Sequence, residues 1–241
     1  MGDSLLRLEA TDIYAGYGKI EVLHGASVRA AAGEIVCIIG PNGSGKSTLL
    51  RALFGLITPR RGKVLFAGRD VTHLSPEEKV RRGIAFIPQG RNVFTSLTVR
   101  ENLEMGGTPL GDEREVDRAI SQALESYPVL KDKLRHRAGN LSGGEKQLLA
   151  LARADMIKPR MILMDEPSIG LAPRMIEEVY EQIRALNARR GVSFLIVEQN
   201  ARKALNTAHR GYVLDLGVTR IEDTGQGLLD NEEVKKLYLG G

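Results

Sequence analysis

One nine-residue stretch carries the residue types that bind the phosphate groups of a nucleotide. It matches the pattern G-x-x-x-x-G-K-[ST] and reads Gly40-Pro41-Asn42-Gly43-Ser44-Gly45-Lys46-Ser47-Thr48. Glycines let backbone N–H groups curl around phosphate oxygens, and a helix that begins in the loop adds partial positive charge. We expect Lys46 to reach the β- and γ-phosphates and Ser47 to offer its hydroxyl to Mg²⁺. A Gly-rich turn without chemical meaning is the alternative, but Lys-Ser-Thr after an apolar strand argues against it.

Two neighbouring carboxylates form the second candidate part of the site. Asp165 and Glu166 follow the apolar run Met161-Ile162-Leu163-Met164, which predicts a buried strand. Ligand sites in open α/β sheets lie at the carboxyl ends of such strands. Asp165 is therefore expected to hold Mg²⁺ directly or through water, and Glu166 to polarise the attacking water. Ordinary loop or helix-start charges are the alternative interpretation, which the pairing with the Gly-rich loop disfavours.

These residues need a scaffold, and the remaining sequence predicts one with strands and helices in alternation. The first thirty residues alternate in polarity and carry Gly-rich breaks, which predicts two or three antiparallel strands. A β-branched apolar run at 34–39 predicts a buried central strand. Further strands are predicted at 84–87, 161–164, 193–197 and 210–215. Helices are predicted at 47–54, 101–105, 113–127, 142–157, 173–189 and 231–238.

This order predicts an α/β fold with a mostly parallel sheet, helices on both faces and antiparallel strands at the N-terminus. The run of helical patterns in the middle predicts a helical subdomain inserted into that sheet. We expect one domain over residues 1–241. Its nucleotide-binding core is predicted at 1–90 and 158–241, and its helical subdomain at 91–157.

Composition limits the class of protein only in part. The 241 residues are 42% hydrophobic and 27% charged, which is typical of a soluble globular chain. A net charge of +4 could favour nucleic acid, anionic lipid or nucleotides, but Lys and Arg are scattered, so charge decides nothing. The one cysteine, Cys37, lies in an apolar run and is expected to be a buried core residue, which suits a reducing cytoplasm.

The sequence predicts no membrane-spanning segment. No apolar stretch approaches the roughly 20 residues that cross a bilayer, and the residues Met1–Ser4 do not resemble the start of a signal peptide. Any membrane role is therefore expected to come through a partner.

A third motif, Leu141-Ser142-Gly143-Gly144-Glu145, precedes a long predicted helix. Ser-x-x-Glu before a helix is a capping box, which accounts for Ser142 and Glu145. A capping box does not require two consecutive glycines, whose bare backbone a phosphate could approach. Both interpretations can hold together, because the serine hydroxyl can accept a hydrogen bond from the helix and donate one to a phosphate oxygen.

In this order the motifs at 40–47, 89, 141–145 and 165–166 make the chain resemble an ATP-binding-cassette ATPase over nearly its whole length. The resemblance implies a P-loop NTPase (RecA-like) core that hydrolyses ATP with Mg²⁺. It also implies that two ATP molecules are buried between two head-to-tail subunits. Ser142, Gly143 and Gly144 would then contact the γ-phosphate held by the other subunit.

Other positions match the family one by one. Gln89 resembles the glutamine that senses Mg²⁺ and the attacking water, with a polar turn residue as the alternative. Tyr17 resembles the aromatic residue that stacks on adenine, with an ordinary strand tyrosine as the alternative. Gln199 stands where the family usually has a histidine, and its amide can donate to the γ-phosphate but cannot titrate. Ala172 replaces a usual aspartate, and Glu145 replaces the commoner glutamine.

The subfamily resemblance rests on scattered segments, namely 18–24, 170–173, 197–200 and the ending 238–241. They are similar to LivF-type ATP-binding subunits of branched-chain amino-acid importers. This implies a second ATP-binding subunit, identical or different, two transmembrane permease subunits and, indirectly, a solute-binding protein. It also implies a cytoplasmic position, peripheral on the inner face of the membrane. The stretch 90–97 and the helical insertion are predicted to contact the permease, although Phe94 could belong to the core.

Three alternatives stay open at this point. Importers of urea or short amides use similar subunits, and an exporter subunit would also lack membrane spans. The third is a soluble cassette ATPase that acts on nucleic acid or ribosomes. Such proteins usually fuse two cassettes or insert a long coiled coil, and this chain does neither, so nucleic acid is not an expected partner.

Overall fold

The computed structural model describes residues 6–90 and 92–238. The predictions that involve residues 1–4, position 91 and the ending at 239–241 lie outside the described residues.

The described strands form two sheets. One is antiparallel and contains β1 (Leu6–Tyr17), β2 (Ile20–Ala31), β4 (Arg61–Phe66) and β5 (Arg69–Asp70), in the order β2-β1-β4-β5. The other contains β3 (Ile35–Ile39), β6 (Ile84–Ile87), β7 (Met161–Asp165), β8 (Ser193–Val197), β9 (Arg210–Asp215) and β10 (Val218–Thr224), in the order β10-β9-β3-β8-β7-β6. Its pairs are parallel except the β9–β10 hairpin. The predicted mostly parallel sheet and the N-terminal antiparallel strands are confirmed.

The predicted helices are also confirmed, with bounds that differ by at most two residues. The helices are α1 (Lys46–Phe54), α2 (Pro76–Arg81), α3 (Val99–Gly107), α4 (Glu113–Ser126), α5 (Gly143–Met156), α6 (Pro173–Arg190), α7 (Ala201–Thr207), α8 (Gly225–Asp230) and α9 (Glu232–Tyr238). Short 3₁₀ turns occupy Thr108–Leu110, Pro128–Lys133 and Ala138–Asn140. The sequence did not predict β4, β5, β10, α2, α7 or α8.

The central strand β3 is buried on both faces. Ile35, Cys37 and Ile39 pack in a hydrophobic cluster shared with α5 and α6. Val36 and Ile38 pack in a second cluster, between this sheet, α1 and the antiparallel sheet. Because successive strand side chains point to opposite faces, a strand covered on both sides must be apolar throughout, as this one is. The buried position predicted for Cys37 is confirmed.

The middle of the chain is helical, with α3, α4 and α5 packed on one another. The predicted apolar face of α4 is confirmed, since Ile120 and Ala123 are buried and Val116 and Leu124 pack against the same cluster. The boundaries of a helical subdomain at 91–157 stay a prediction. Among the described residues, no helix has both the length and the apolar character needed to cross a membrane.

Candidate active site

The Gly-rich loop joins the carboxyl end of β3 to the amino end of α1. Gly40 has a φ of 154°, and a Cβ there would lie 2.0 Å from the carbonyl oxygen of Leu214 in β9. Gly45, the residue before α1, has a φ of 100°. Side chains are excluded at the first position by the neighbouring strand and disfavoured at the second by the left-handed backbone. The loop therefore packs against the sheet and leads directly into the helix N-terminus.

The ammonium group of Lys46 folds back onto this loop. Its Nζ donates to the carbonyl oxygens of Gly40 (2.8 Å) and Pro41 (2.9 Å), and the side chain is buried. Burial lowers the pKa of Lys46, whereas the negative charges of Glu166 and Asp165 raise it. Two carbonyl oxygens thus hold a buried cation beside two carboxylates, in a position where an anionic ligand can replace those carbonyls.

Ser47 and Asp165 are in direct contact. Ser47 Oγ donates to Asp165 Oδ1 over 2.8 Å, which joins the first turn of α1 to the end of β7. Asp165 Oδ2 is buried and accepts no hydrogen bond from the residues that the structure describes. Burial raises the pKa of Asp165, and the hydrogen bond from Ser47 partly lowers it. A hydroxyl beside an unpartnered carboxylate oxygen is a donor set that fits a hard divalent cation.

Within residues 6–90 and 92–238, no group of three or more His, Cys, Asp or Glu side chains could hold a metal ion.

Glu166 sits where the chain leaves β7. It has a φ of 47°, an unusual conformation for a residue with a side chain, and its N–H donates to the carbonyl of Val197 in β8 (2.9 Å). Gln89 Nε2 donates to Glu166 Oε2 over 2.8 Å. Burial raises the pKa of Glu166, Lys46 lowers it and Asp165 raises it further. A carboxylate with a raised pKa is better matched to accepting a proton from water near neutral pH.

Gln199 is exposed and follows Glu198 at the end of β8. Its backbone N–H donates to Oε2 of Glu198 over 3.2 Å. Glu198 is buried and was not singled out from the sequence, because the pattern Val-Glu-Gln-Asn by itself does not show which of its polar side chains turns inward.

The segment at 141–145 lies at the start of α5. The predicted capping box is confirmed, since Ser142 Oγ accepts from the N–H of Glu145 (3.3 Å) and Glu145 Oε2 accepts from the N–H of Ser142 (2.8 Å). A Cβ at Gly144 would lie 2.1 Å from Cε of Met175 in α6. Packing against α6 therefore accounts for glycine at this position, and the approach of a phosphate stays a prediction.

The remaining predicted site residues occupy varied environments. Pro41, Asn42 and Gly43 are exposed at the tip of the loop, and Ser44 Oγ is buried without a hydrogen-bond partner among the described residues. Tyr17 is exposed, and its hydroxyl accepts from Arg51 of α1 over 2.8 Å.

Hydrogen bonds and charge thus bring together five of the predicted residues, namely Lys46, Ser47, Gln89, Asp165 and Glu166. Ser142 instead makes its hydrogen bonds at the start of α5. Its hydroxyl accepts from the N–H of Glu145, and its carbonyl oxygen accepts from the N–H of Lys146. Tyr17 and Gln199 are joined to Arg51 and Glu198, respectively, rather than to this group.

The chain is similar in sequence to proteins of known family. The ABC transporter family model matches residues 23–169. The chain is 47% identical over 225 residues to the high-affinity branched-chain amino acid transport ATP-binding protein BraG of Pseudomonas aeruginosa, covering 93% of this chain and 96% of the relative. It is 37% identical to the probable branched-chain amino acid transport ATP-binding protein LivF of Archaeoglobus fulgidus, covering 97% and 98%. The lipopolysaccharide export system ATP-binding protein LptB of Acidithiobacillus ferridurans is 34% identical, covering 97% and 96%.

Solved structures share the fold. A nucleotide-free ATP-binding cassette from an ABC transporter superposes with a TM-score of 0.87 at 32% identity, covering 98% of this chain and all of that one. A cassette in a dimeric, post-hydrolysis state bound to ADP and Pi superposes with a TM-score of 0.78 at 28% identity, covering 90% and 98%. The chain therefore belongs to the ABC transporter family. It is a nucleotide-binding, ATP-hydrolysing subunit of a membrane transporter.

Proposed function

We propose that this ATPase subunit drives the uptake of branched-chain amino acids. The observation that carries the proposal is the 47% identity to BraG, which extends over nearly the full length of both chains. LptB also aligns over nearly the whole of both chains but at 34% identity, so the higher identity to BraG is what favours a shared partner set. The subunit would lie on the cytoplasmic face of the membrane, bound peripherally to two permease subunits. A solute-binding protein would deliver the amino acid to those permeases.

The nucleotide of this site is ATP with Mg²⁺. Ser47 and Asp165 would hold the cation, and the unpartnered Oδ2 of Asp165 supports that role. The bound cation would neutralise charge that develops on the phosphate oxygens. Lys46 would exchange the carbonyls of Gly40 and Pro41 for the β- and γ-phosphates, while the loop N–H groups surround them.

Hydrolysis needs an oriented water molecule more than covalent chemistry by the protein. Glu166 would accept the hydrogen bond of that water, and Gln89 would fix the direction of the Glu166 carboxylate. The Gln199 amide would donate to the γ-phosphate. Tyr17 would stack on the adenine, since its ring is exposed and its hydroxyl is anchored to Arg51.

The site is completed by a second ATP-binding subunit, identical or different. Ser142, Gly143 and Gly144 would face the γ-phosphate of that partner, because their own hydrogen bonds and packing leave Ser142 and Gly143 exposed at the start of α5. The dimeric state of the related cassette with ADP and Pi supports this arrangement.

A surface cleft of about 930 Å³ supports the predicted contact with a permease. It lies between the loop after β6 and helices α3 and α5 of the predicted helical subdomain. Phe94 is 44% exposed and Met105 is 48% exposed there, so Phe94 does not belong to the core. The guanidinium of Arg153 lies 4.7 Å from the centre of the Phe94 ring. Exposed apolar side chains at the mouth of a cleft favour docking of an apolar segment.

Affinity purification of the chain from detergent-solubilised native membranes, with mass spectrometry of its partners, tests this proposal. We expect two multi-span permeases and, in the heteromeric case, a second ATP-binding subunit. Phe94→Asp should lose the permeases, whereas Leu237→Asp, at an exposed apolar residue outside both the cleft and the predicted helical subdomain, should retain them. Recovery of ribosomal or nucleic-acid partners without membrane proteins would overturn the transport role.

An exporter is the second candidate, favoured by the 34% identity to LptB over nearly the whole chain. The same purification separates the two candidates. Permeases that bind labelled leucine together with a periplasmic-type binding protein support import, whereas partners that bind lipopolysaccharide support export.

A further inference from the structure

The carboxylate of Glu198 lies at the end of β8 and is almost fully buried, with 1% of the residue exposed. Its Oε1 accepts from the N–H of Ser168 (2.9 Å) and from the hydroxyl of Tyr180 (3.1 Å). Its Oε2 accepts from Ser168 Oγ (2.9 Å) and from the N–H groups of Gln199 (3.2 Å) and Asn200 (3.4 Å). One side chain thus receives hydrogen bonds from three separate segments of the chain.

Two of these segments lead directly to predicted site residues. Ser168 belongs to the turn that begins at Glu166, and Gln199 follows Glu198 in sequence. The third segment is α6, which carries Tyr180. Glu198 therefore connects the turn after β7 to the loop after β8, at the edge of the sheet where Glu166 and Gln199 are presented.

The chemistry of the contact requires a carboxylate. Burying a charge is unfavourable unless hydrogen bonds replace the lost water, and an ionised carboxylate only accepts them. The donors found around Glu198 match that requirement. In either orientation the NH₂ group of an amide would face at least one backbone N–H, of Ser168 at one oxygen or of Gln199 and Asn200 at the other, and an N–H cannot accept a hydrogen bond. The same shape without the charge would therefore hold the two segments less well.

The turn after β7 needs such support. Glu166 has a φ of 47°, a conformation that costs free energy for a residue with a side chain. The N–H of Glu166 is fixed to Val197 on β8, and the next fixed point along the turn is Ser168. We infer that Glu198 is a positioning residue, which holds the turn of Glu166 and the loop of Gln199 as one unit during ATP hydrolysis. This inference rests on the proposed roles of Glu166 and Gln199.

A comparison of two variants tests it. Ser168→Ala removes the Oγ donor on the Glu166 side of Glu198, and Tyr180→Phe removes the hydroxyl donor on the α6 side. Both remove one buried hydrogen bond to the same carboxylate. We expect Ser168→Ala and Glu198→Gln to lower kcat about 10-fold or more with KM for ATP within about twofold, since small misplacement of reacting groups is costly. Tyr180→Phe should lower the melting temperature but leave kcat unchanged.

Glu198→Asp gives a further readout, because it keeps the charge but shortens the side chain. It should recover part of the kcat lost in Glu198→Gln if the carboxylate holds the turn. Equal kcat in Ser168→Ala and Tyr180→Phe, or a kcat in Glu198→Gln that equals that of the wild type, would overturn the positioning role. Glu166→Gln is measured alongside: full activity in that variant would instead overturn the role proposed for Glu166, so the two failures are distinguishable.

Discussion

Gln89 and Glu166 share a hydrogen bond of 2.8 Å although they are 77 positions apart in the sequence. Gln89 follows β6 and Glu166 follows β7, and these strands are parallel neighbours. Their carboxyl ends therefore meet at one edge of the sheet, where the Gly-rich loop also lies. An amide donor on one strand thus fixes the direction of a carboxylate on the next.

Glu166→Gln should bind ATP with unchanged affinity but hydrolyse it about 10²-fold or more slowly, because an amide cannot accept a proton from water. The variant should also accumulate as an ATP-dependent dimer, since closure precedes hydrolysis. Phosphate release and light scattering measure the two effects. Glu181→Gln, an exposed change of the same kind on α6, is the control and should leave both unaltered. Normal turnover by Glu166→Gln would remove this residue from its proposed role.

Gln89→Glu should move the acidic limb of the pH–kcat profile to higher pH. Burial already raises the pKa of Glu166, and a second carboxylate within hydrogen-bonding distance would raise it further. Because the ionised form of Glu166 is the one that accepts the proton, activity would then develop only at higher pH. Gln89→Ala removes the donor without adding charge and should shift the limb less. Coincident limbs for the wild type and Gln89→Glu would contradict the pairing of these residues in the working site.

Ala172→Asp should stabilise the protein by about 1 kcal/mol. Ala172 is the N-cap of α6, with φ −66° and ψ 150°, and makes no side-chain hydrogen bond to the helix. Pro173 has no N–H, so an aspartate in this backbone conformation would accept from the N–H of Arg174 or share that of Met175, and it also interacts favourably with the helix dipole. Urea unfolding at neutral pH measures the change. Ala172→Leu, which adds bulk but no acceptor, should give no gain; an equal gain would refute the capping explanation.

Because Lys79 is buried, we expect the free energy of unfolding to depend on pH. Lys79 is fully buried, and its Nζ donates to the carbonyl of Leu53 in α1 (2.8 Å). Burial lowers the pKa of Lys79 from 10.5 to about 8. Between these two values the unfolded chain binds the proton that the folded chain has lost, so the free energy of unfolding rises with pH by at most about 1.4 kcal/mol per unit.

The matched variant is Lys79→Met, which has a side chain of similar length and no titration. The difference in unfolding free energy between wild type and Lys79→Met should grow in favour of the wild type as pH rises above about 8. Lys63→Met, at an exposed lysine on β4, should show no such trend. A difference that stays constant with pH would mean that Lys79 keeps its ordinary pKa.

The sequence predicts the elements that are apolar throughout or strongly periodic. β3 and β7 are buried on both faces, so their composition alone marks them. β10 escaped prediction because it is an edge strand whose side chains are mostly exposed. β4 begins with three exposed residues, Arg61, Gly62 and Lys63, which conceal its apolar end. α2 has only six residues, but its capping box of Ser75 and Glu78 was a readable signal.

The residues of the candidate site also include some that the sequence predicts and one that it does not. Lys46, Ser47, Asp165 and Glu166 are recognisable because motif and scaffold follow one another in sequence. Glu198 could not be recognised from the sequence, because its hydrogen-bond donors come from segments that are distant along the chain and are brought together only by folding.

Uptake of labelled leucine by cells that lack this chain is the most direct test of whether ATP hydrolysis at this site drives import. We expect that uptake is lost, that the wild-type chain restores it, and that Lys46→Ala and Glu166→Gln do not restore it at equal abundance in the membrane fraction. Uptake that persists without the chain, or that returns fully with Glu166→Gln, would contradict the claim that ATP hydrolysis at this site drives amino-acid import.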